Sequence, residues 1–246
     1  MGLTIHYHLS APAGCDAARA KDLVRQMRRR AQNFKHRGRV ERVLPIGADR
    51  EALRWALDYR DVPHPFKPGR LSGIEIPAEA GWLFFVEVGT DCEPLALGLC
   101  HYPKTVLLGG KRYRTHRPGW SLHSFSKTQY ASLHGWDHFR RCHCAVVDLL
   151  HGFRHLGLEI TINDEGEYWP GHSLSDLRRN LDEMNGVVAA AAGALKDWDE
   201  SENGASDVES PIFRHPQFER LEAEGEAKHG PAIRLEKNLF SDHDRA

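Results

Sequence analysis

Leu3, Ile5, Tyr7 and Leu9 alternate with Thr4, His6 and His8, the two-residue period of a strand with one buried face. Over residues 16–36 the period lengthens. Leu23, Val24, Met27, Ala31 and Phe34 recur at helical spacing, and Gly38 stands where a C-terminal cap belongs. Residues 40–46 read as a second strand. Asp49 is placed to cap a short helix through Tyr59. Pro63, Pro65 and Pro68 then predict an irregular loop.

The middle of the chain is strand-rich. Residues 82–88 and 95–101 flank a loop carrying Asp91 and Pro94, and 105–108 and 111–116 flank Gly109 and Gly110, a hairpin turn. Residues 121–129 read as another strand. Asp137 is a candidate N-cap for a helix through Leu156, which Gly157 ends. Residues 158–162 alternate as a strand. Ser173 and Asp176 form a capping-box-like start for a helix to about Trp198. Leu174, Leu177, Leu181, Met184, Val188 and Leu195 make its apolar stripe, and the small residues Ala189–Ala192 would let a neighbour approach closely. Residues 200–210 are polar, and a last helix is expected near 217–227 before a frayed end.

Helices interleave with strands without strict alternation. That predicts an α+β fold with a mixed or antiparallel central sheet and helices packed mainly on one face. Residues 1–199 are expected to form one domain, and 200–246 a linker and helical tail.

Composition narrows the class. Apolar residues make up 41% and charged residues 27%, ordinary for a soluble globular chain. No apolar run reaches the ~20 residues of a membrane span, so no membrane partner is expected. The first residues lack a basic stretch followed by an apolar one, and the five cysteines are irregularly spaced, so a cytoplasmic setting with reduced thiols is expected. Net charge is −1, but it is unevenly spread. Residues 19–42 hold ten Lys/Arg against Asp22 and Glu41, whereas 197–209 hold six acids and no base. The basic run can mark a nucleic-acid surface through Arg25, Arg28, Arg29, Arg30 and Lys35. A solvated helix face would look the same.

Polar residues with chemical potential crowd into 121–169. On the helix after Asp137, Phe139, Cys142, Val146, Leu149, Leu150 and Phe153 share the core face. His143 lies at its border, where a half-buried imidazole suits acid–base work. Cys144, Asp148, His151 and His155 fall opposite. The last two have a metal-chelating spacing but project away from the core, so no metal site is expected there. Arg140 and Arg141 fall in the first turn, where free N–H groups already favour an anion; Asp137 is the alternative partner. Alternation puts Lys127 and Gln129 on one side of a strand end and Thr128 and Tyr130 on the other. Asp164 and Glu165 follow a strand, where they could bind a divalent cation, serve as a base, or simply make a turn.

Several segments in order resemble a family of uncharacterised bacterial proteins. The family opens with a GLTIHY strand and carries K-T-Q-Y-A, R-C-H and D-E-G segments and a late P-x-F-E-x-L-E-A-E-G tail. Here these are residues 2–7, 127–131, 141–143, 164–166 and 216–225. The resemblance spans most of the chain and implies no particular activity, cofactor or partner. Its pattern does not call for His8, His138, Cys144, His151 or His155. It leaves His6, Lys127, Gln129, Tyr130, Arg141, His143, Asp164 and Glu165 as the candidate set. The leading expectation is a cytosolic hydrolase acting on a phosphate-containing or nucleotide-like substrate in a cleft formed by residues 127–130, 140–143 and 164–169. His143, Glu165 and Asp164 would supply acid and base, Lys127 and Arg141 would hold the anionic group, and Gln129, Tyr130 and His6 would position the substrate. A divalent cation at Asp164 and Glu165 is compatible with this chemistry but not required. The alternative is a nucleic-acid- or protein-binding module using the basic helix 19–42.

Overall fold

The computed structural model describes residues 3–56, 58–63, 69–116 and 119–229. Its strands are β1 (Thr4–Ser10), β2 (Arg42–Val43), β3 (Asp58–Pro63), β4 (Leu71–Ile76), β5 (Ala80–Glu87), β6 (Leu95–His101), β7 (Thr105–Leu108), β8 (Lys111–Arg114), β9 (Trp120–Lys127) and β10 (Glu159–Asp164). Its helices are α1 (Ala17–His36), α2 (Arg50–Leu53), α3 (Trp136–Gly152), α4 (Leu174–Asn203) and α5 (Phe218–His229). The six strands of the main sheet run β10-β1-β9-β6-β5-β2, every neighbour antiparallel. The fold is α+β.

Register explains the layering. Ile5, Tyr7 and Leu9 lie opposite Ser126, Ser124 and Leu122 of β9 and Asp164, Ile162 and Ile160 of β10. This face is covered by α1 and α3. Leu23, Val24, Met27 and Ala31 of α1 and Phe139, Val146, Leu149 and Leu150 of α3 are buried beneath them. Tyr7 fits this apolar layer because its hydroxyl donates to the Ala96 carbonyl. Over β5 the other face is covered by the segment around α2, where Trp55 meets Phe85 edge-on at 5.7 Å. The β10-β1-β9 end of that face is open: His6, His8, His123, Thr161 and Asn163 line a shallow recess, beside an exposed Phe125.

Several boundaries differ from the pattern. Residues 40–46 pair as a strand only at Arg42–Val43, because Pro45 has no N–H to give the ladder. The helix capped by Asp49 ends at Leu53 and a 3-10 turn follows to Ala56. Asp58–Pro63 is then a strand paired with Leu71–Ile76, since that hairpin buries Val62, Ile74 and Ile76. Pro65, Pro68 and the chain end expected to fray lie outside the described residues. The strand expected over 121–129 stops at Lys127, and Gln129–His134 form a 3-10 turn. Helix α3 starts at Trp136 with Gly135 as its cap, held at φ +89°. Asp137 sits inside the first turn and pairs with Arg140 at 3.2 Å rather than capping the helix.

Helix α4 runs to Asn203, past the expected end near 198, and α5 folds back against it. The small residues of α4 receive α5, as their size predicts. A Cβ on Gly225 would lie 2.2 Å from the Gly186 carbonyl oxygen and 3.0 Å from the Ala190 Cβ. Ile212 and Leu221 close a second small core here with Val188, Ala189 and Ala192. Gly225→Ala should therefore lift α5 off α4 at a cost of about 1–3 kcal/mol, the usual range for overpacking. A lowered Tm with faster proteolytic cutting between α4 and α5 would register it; an unchanged melt would mean the helices are not in backbone contact.

Candidate functional site

The motif-bearing segments meet at the start of β1, but on one another rather than around a cleft. As β9 ends, the Thr128 backbone N–H donates to the Leu3 carbonyl. The Gln129 side chain accepts from the Leu3 N–H at 2.8 Å. The Thr128 hydroxyl lies 2.8 Å from His143 Nδ1. His143 Nε2 lies 3.0 Å from Asp164 Oδ1, with the carboxylate off the ring N–H direction. Asp164 accepts from the backbone N–H groups of Gly166 at 2.8 Å and Trp169 at 3.0 Å. On the other side Gln129 donates to Asn185 Oδ1 at 2.9 Å, and Asn185 donates to the Ser132 hydroxyl at 3.4 Å.

This chain of polar groups joins β1, β9, the 3-10 turn, α3, β10 and α4. Thr128, Gln129 and His143 are all 0% exposed and Asp164 is 8% exposed. His143, placed by spacing at the border of its helix, is thus in the interior, because the turn after β10 closes over it. Gly166 makes that closure possible: a Cβ there would meet His143 Nε2 at 2.9 Å and Leu177 at 2.7 Å. Burial alone would raise the Asp164 carboxyl, but His143 and the two backbone N–H groups outweigh it and hold the group below the usual aspartate range.

Of the remaining candidates, His6, Glu165, Lys127 and Arg141 have partners of their own outside this network. Glu165 accepts from the Thr4 N–H at 2.8 Å and lies 3.6 Å from His6. Lys127 pairs with Glu93 at 3.6 Å. Arg141 donates to His138 at 2.9 Å, and Tyr130 is half-buried in the 3-10 turn. Asp164 and Glu165 alternate across the strand end, one inward and one outward, so their oxygens serve different partners. Among the described residues no group of three or more His, Cys, Asp or Glu is arranged to hold a metal. The stripe expected to be solvated on α3 is partly covered: Cys144 is 9% exposed, Asp148 pairs with Arg39 at 2.6 Å, and His151 packs on Trp169.

Two open concavities lie elsewhere. One of about 260 Å³, at the outer end of the network, is lined by Ser132, Trp136, Asn185, His215, Gln217 and Arg220 among others. The second, about 420 Å³, runs between α1 and the turn after α3. Gln26, Arg29, Arg30, Asn33, Phe34, Arg37 and Leu156 line it, with no carboxylate. Among the described residues Arg29, Arg30 and Arg37 have no acidic partner, unlike Arg19, which pairs with Asp22, and Arg39. The Arg30 guanidinium lies over Gly152, where a Cβ would come within 2.8 Å of Nε. The last turn of α3 offers its carbonyl ends to a cation there.

Asn185 could have been found from the sequence: it falls on the buried stripe of α4 between Leu181 and Val188, a polar residue at an apolar position. Ser132 carries no such mark.

Removing one partner should be costly. His143→Ala leaves the Thr128 hydroxyl without its buried partner and strips Asp164 of a contact, a loss of about 3 kcal/mol or more, read as a lower denaturation midpoint with the fold otherwise native. Asp164 also sets an acid limb. Its folded pKa is depressed, so its contribution is complete above the unfolded value of about 3.9 and is lost as pH falls through the lower folded value. Denaturation midpoints below about pH 4 should drop less steeply in Asp164→Asn than in the wild type; equal slopes would remove the carboxylate from the account.

No family model matches the chain, and no curated protein or solved structure is significantly similar to it, so its chemistry rests on its own geometry.

Proposed function

We propose that this chain binds nucleic acid, with the phosphate backbone held along the arginine-lined groove of α1. The observation that carries this is the set Arg29, Arg30 and Arg37: three guanidinium groups on one 420 Å³ groove with no carboxylate among its lining residues. Guanidinium pairs bidentately with phosphate oxygens. Several surface arginines are neutralised by carboxylates, as in Arg19–Asp22, Arg140–Asp137 and Arg179–Asp176. Arg29, Arg30 and Arg37 have no carboxylate partner among the described residues and share one groove, which a polyanion would complete.

Spacing supports an extended ligand over a single small anion. From Gln26 on α1 to Arg37 at its C-terminal cap, the groove follows about 16 Å of helix at helical rise, long enough for several phosphates. Asn33 stands in the groove as a hydrogen-bonding group for sugar or base edges, while the Gln26 amide donates to Asp22 at 2.7 Å. Arg154 and His155 are exposed on the neighbouring turn and extend the basic surface. Net charge of −1 makes the attraction local, so docking at this face depends on short-range contacts rather than on the field of the whole molecule.

The hydrolase expected from the sequence draws its acid and base from His143, Glu165 and Asp164, and of these His143 and Asp164 are packed away from water while Glu165 is held by Thr4 and His6. The groove carries free charge open to water, and it is preferred for that reason.

Fluorescence anisotropy with labelled single- and double-stranded oligonucleotides tests the reading. Affinity should fall steeply between about 50 and 200 mM salt, each phosphate contact adding about 0.7–0.9 to the log–log slope. The triple variant R29A/R30A/R37A should bind at least about tenfold more weakly at low salt and with a slope shallower by about 2–3. Absence of binding at about 50 mM salt, or equal binding by the triple variant, would overturn it.

A further inference from the structure

Between Glu93 and Asp137 the chain carries six Lys/Arg and no acid, although its net charge overall is −1. Lys111, Arg112 and Arg114 of that run lie on the β7–β8 hairpin, and Lys104 stands at its entry. The hairpin is a sheet of its own, separate from the six main strands. Gly109 and Gly110 turn it, at φ +55° and +74°, the pair of positive angles that a two-residue turn between twisted strands requires.

The two faces of the hairpin differ. Register sets Thr105 opposite Arg114 and Leu107 opposite Arg112. Alternation brings these four to one face, and all of them are exposed. Leu107 is the extreme case, 70% exposed. The other face carries Val106, Leu108 and Tyr113, each half-buried, with Val106 against the main core. Lys111, next to the turn, lies over the Tyr113 ring at 5.4 Å. Among the described residues Lys104, Lys111 and Arg112 have no carboxylate partner.

A concavity of about 590 Å³ at the foot of the hairpin continues the exposed face. His101, Lys104, Arg114 and His116 are among its lining residues, and no carboxylate is. The nearest acid to these is Glu79, 3.4 Å from His101. Thr115 holds the foot together: its N–H donates to the Lys104 carbonyl at 3.1 Å and its hydroxyl to the Pro103 carbonyl at 2.6 Å. The arginine groove is a different surface. Near the start of α1, Lys21 lies over Trp82, which stacks on Trp120 beside the hairpin's foot; the groove occupies the C-terminal half of α1.

We propose that the β7–β8 hairpin enters the major groove of duplex DNA. The inference rests on the nucleic-acid reading above for its class of ligand and narrows that class to the B-form duplex. Two strands about 4.8 Å apart make a ribbon that fits a groove about 12 Å wide and about 8.5 Å deep. Four residues of strand reach about 13 Å, enough to carry the turn to the groove floor. The major groove of an RNA duplex is too narrow for side chains to read, and a single strand offers a ribbon no groove at all. Arg112 matches guanine, whose O6 and N7 accept two hydrogen bonds from one guanidinium, and Leu107 beside it matches the thymine methyl. Lys104 at the foot and Lys111 by the turn pair with phosphates of the groove walls.

The test measures anisotropy of the full-length protein on a labelled mixed-sequence DNA duplex, the matching RNA duplex and a single DNA strand. The DNA duplex should bind at least about tenfold more tightly than either. Methylating guanine N7 with dimethyl sulfate beforehand should weaken wild-type binding at least about fivefold, and R112A should no longer distinguish the methylated duplex. K104A/K111A should show a salt slope shallower by about 2 at an unchanged Tm. The wild-type comparison of methylated with unmodified duplex decides the matter even if a variant fails to fold. RNA or single-strand binding as tight as duplex DNA, no effect of methylation, or an unaltered slope in K104A/K111A would each overturn the proposal. If R29A/R30A/R37A binds like the wild type while methylation still weakens binding, the groove reading falls and the hairpin stands. A weakened triple variant with no methylation effect leaves the groove and removes the hairpin, and no binding at low salt removes both.

Discussion

Thr128, His143 and Asp164 touch one another where water does not reach, and the middle of the molecule is organised by that contact. A buried hydroxyl, imidazole and carboxylate without partners would each cost several kcal/mol in a low-dielectric interior. Each finds its partner on a different segment, so none can be satisfied until β9, α3 and the turn after β10 are all in place. Gln129 extends the same dependence to Leu3, just before β1, and to α4. Apolar packing alone would tolerate small slips between these elements; directed polar contacts of short reach allow far fewer.

The same demand explains what could be read from the chain and what could not. The strand period of β1 and the helical periods of α1 and α4 are local, and they emerge from spacing. The burial of His143 is not local. Helical geometry puts it at the margin of α3, and its cover comes from Gly166, over twenty positions later, where the missing side chain leaves room for the ring. Lys127 and Gln129 share a side in an ideal strand, yet Gln129 leaves the strand to reach Leu3. Asp137 has the right chemistry to cap α3, but Gly135, two residues earlier, has the backbone freedom to end the preceding turn and so sets the start. Some of the motif residues, His143 and Asp164 with the strand end at Thr128 and Gln129, do come together in space. Whether they face water or one another depends on packing that no spacing encodes.

Charge is divided accordingly. Around the network every named carboxylate or cation has a neighbour, as Glu165 has Thr4 and His6 and Lys127 has Glu93. The arginines of α1 that have none lie along the edge of the helical layer, away from the strand end. Structural rigidity and free positive charge thus lie in separate parts of the fold, and changes to one can leave the other intact.

The meeting of Gly186 and Gly225 has a wider bearing. A helix seated by interdigitating side chains can shift by a turn and find new grooves; one seated with a carbonyl against a bare backbone has a single berth. His215, Gln217 and Arg220 belong to the segment anchored by that berth, and they form a wall of the concavity whose floor is Ser132 and Asn185. Undocking the last helix would strip away that wall and wet the outer end of the polar chain from Asn185 inward. The C-terminal segment is therefore a stopper as well as an appendage, and its seating governs how dry the interior stays.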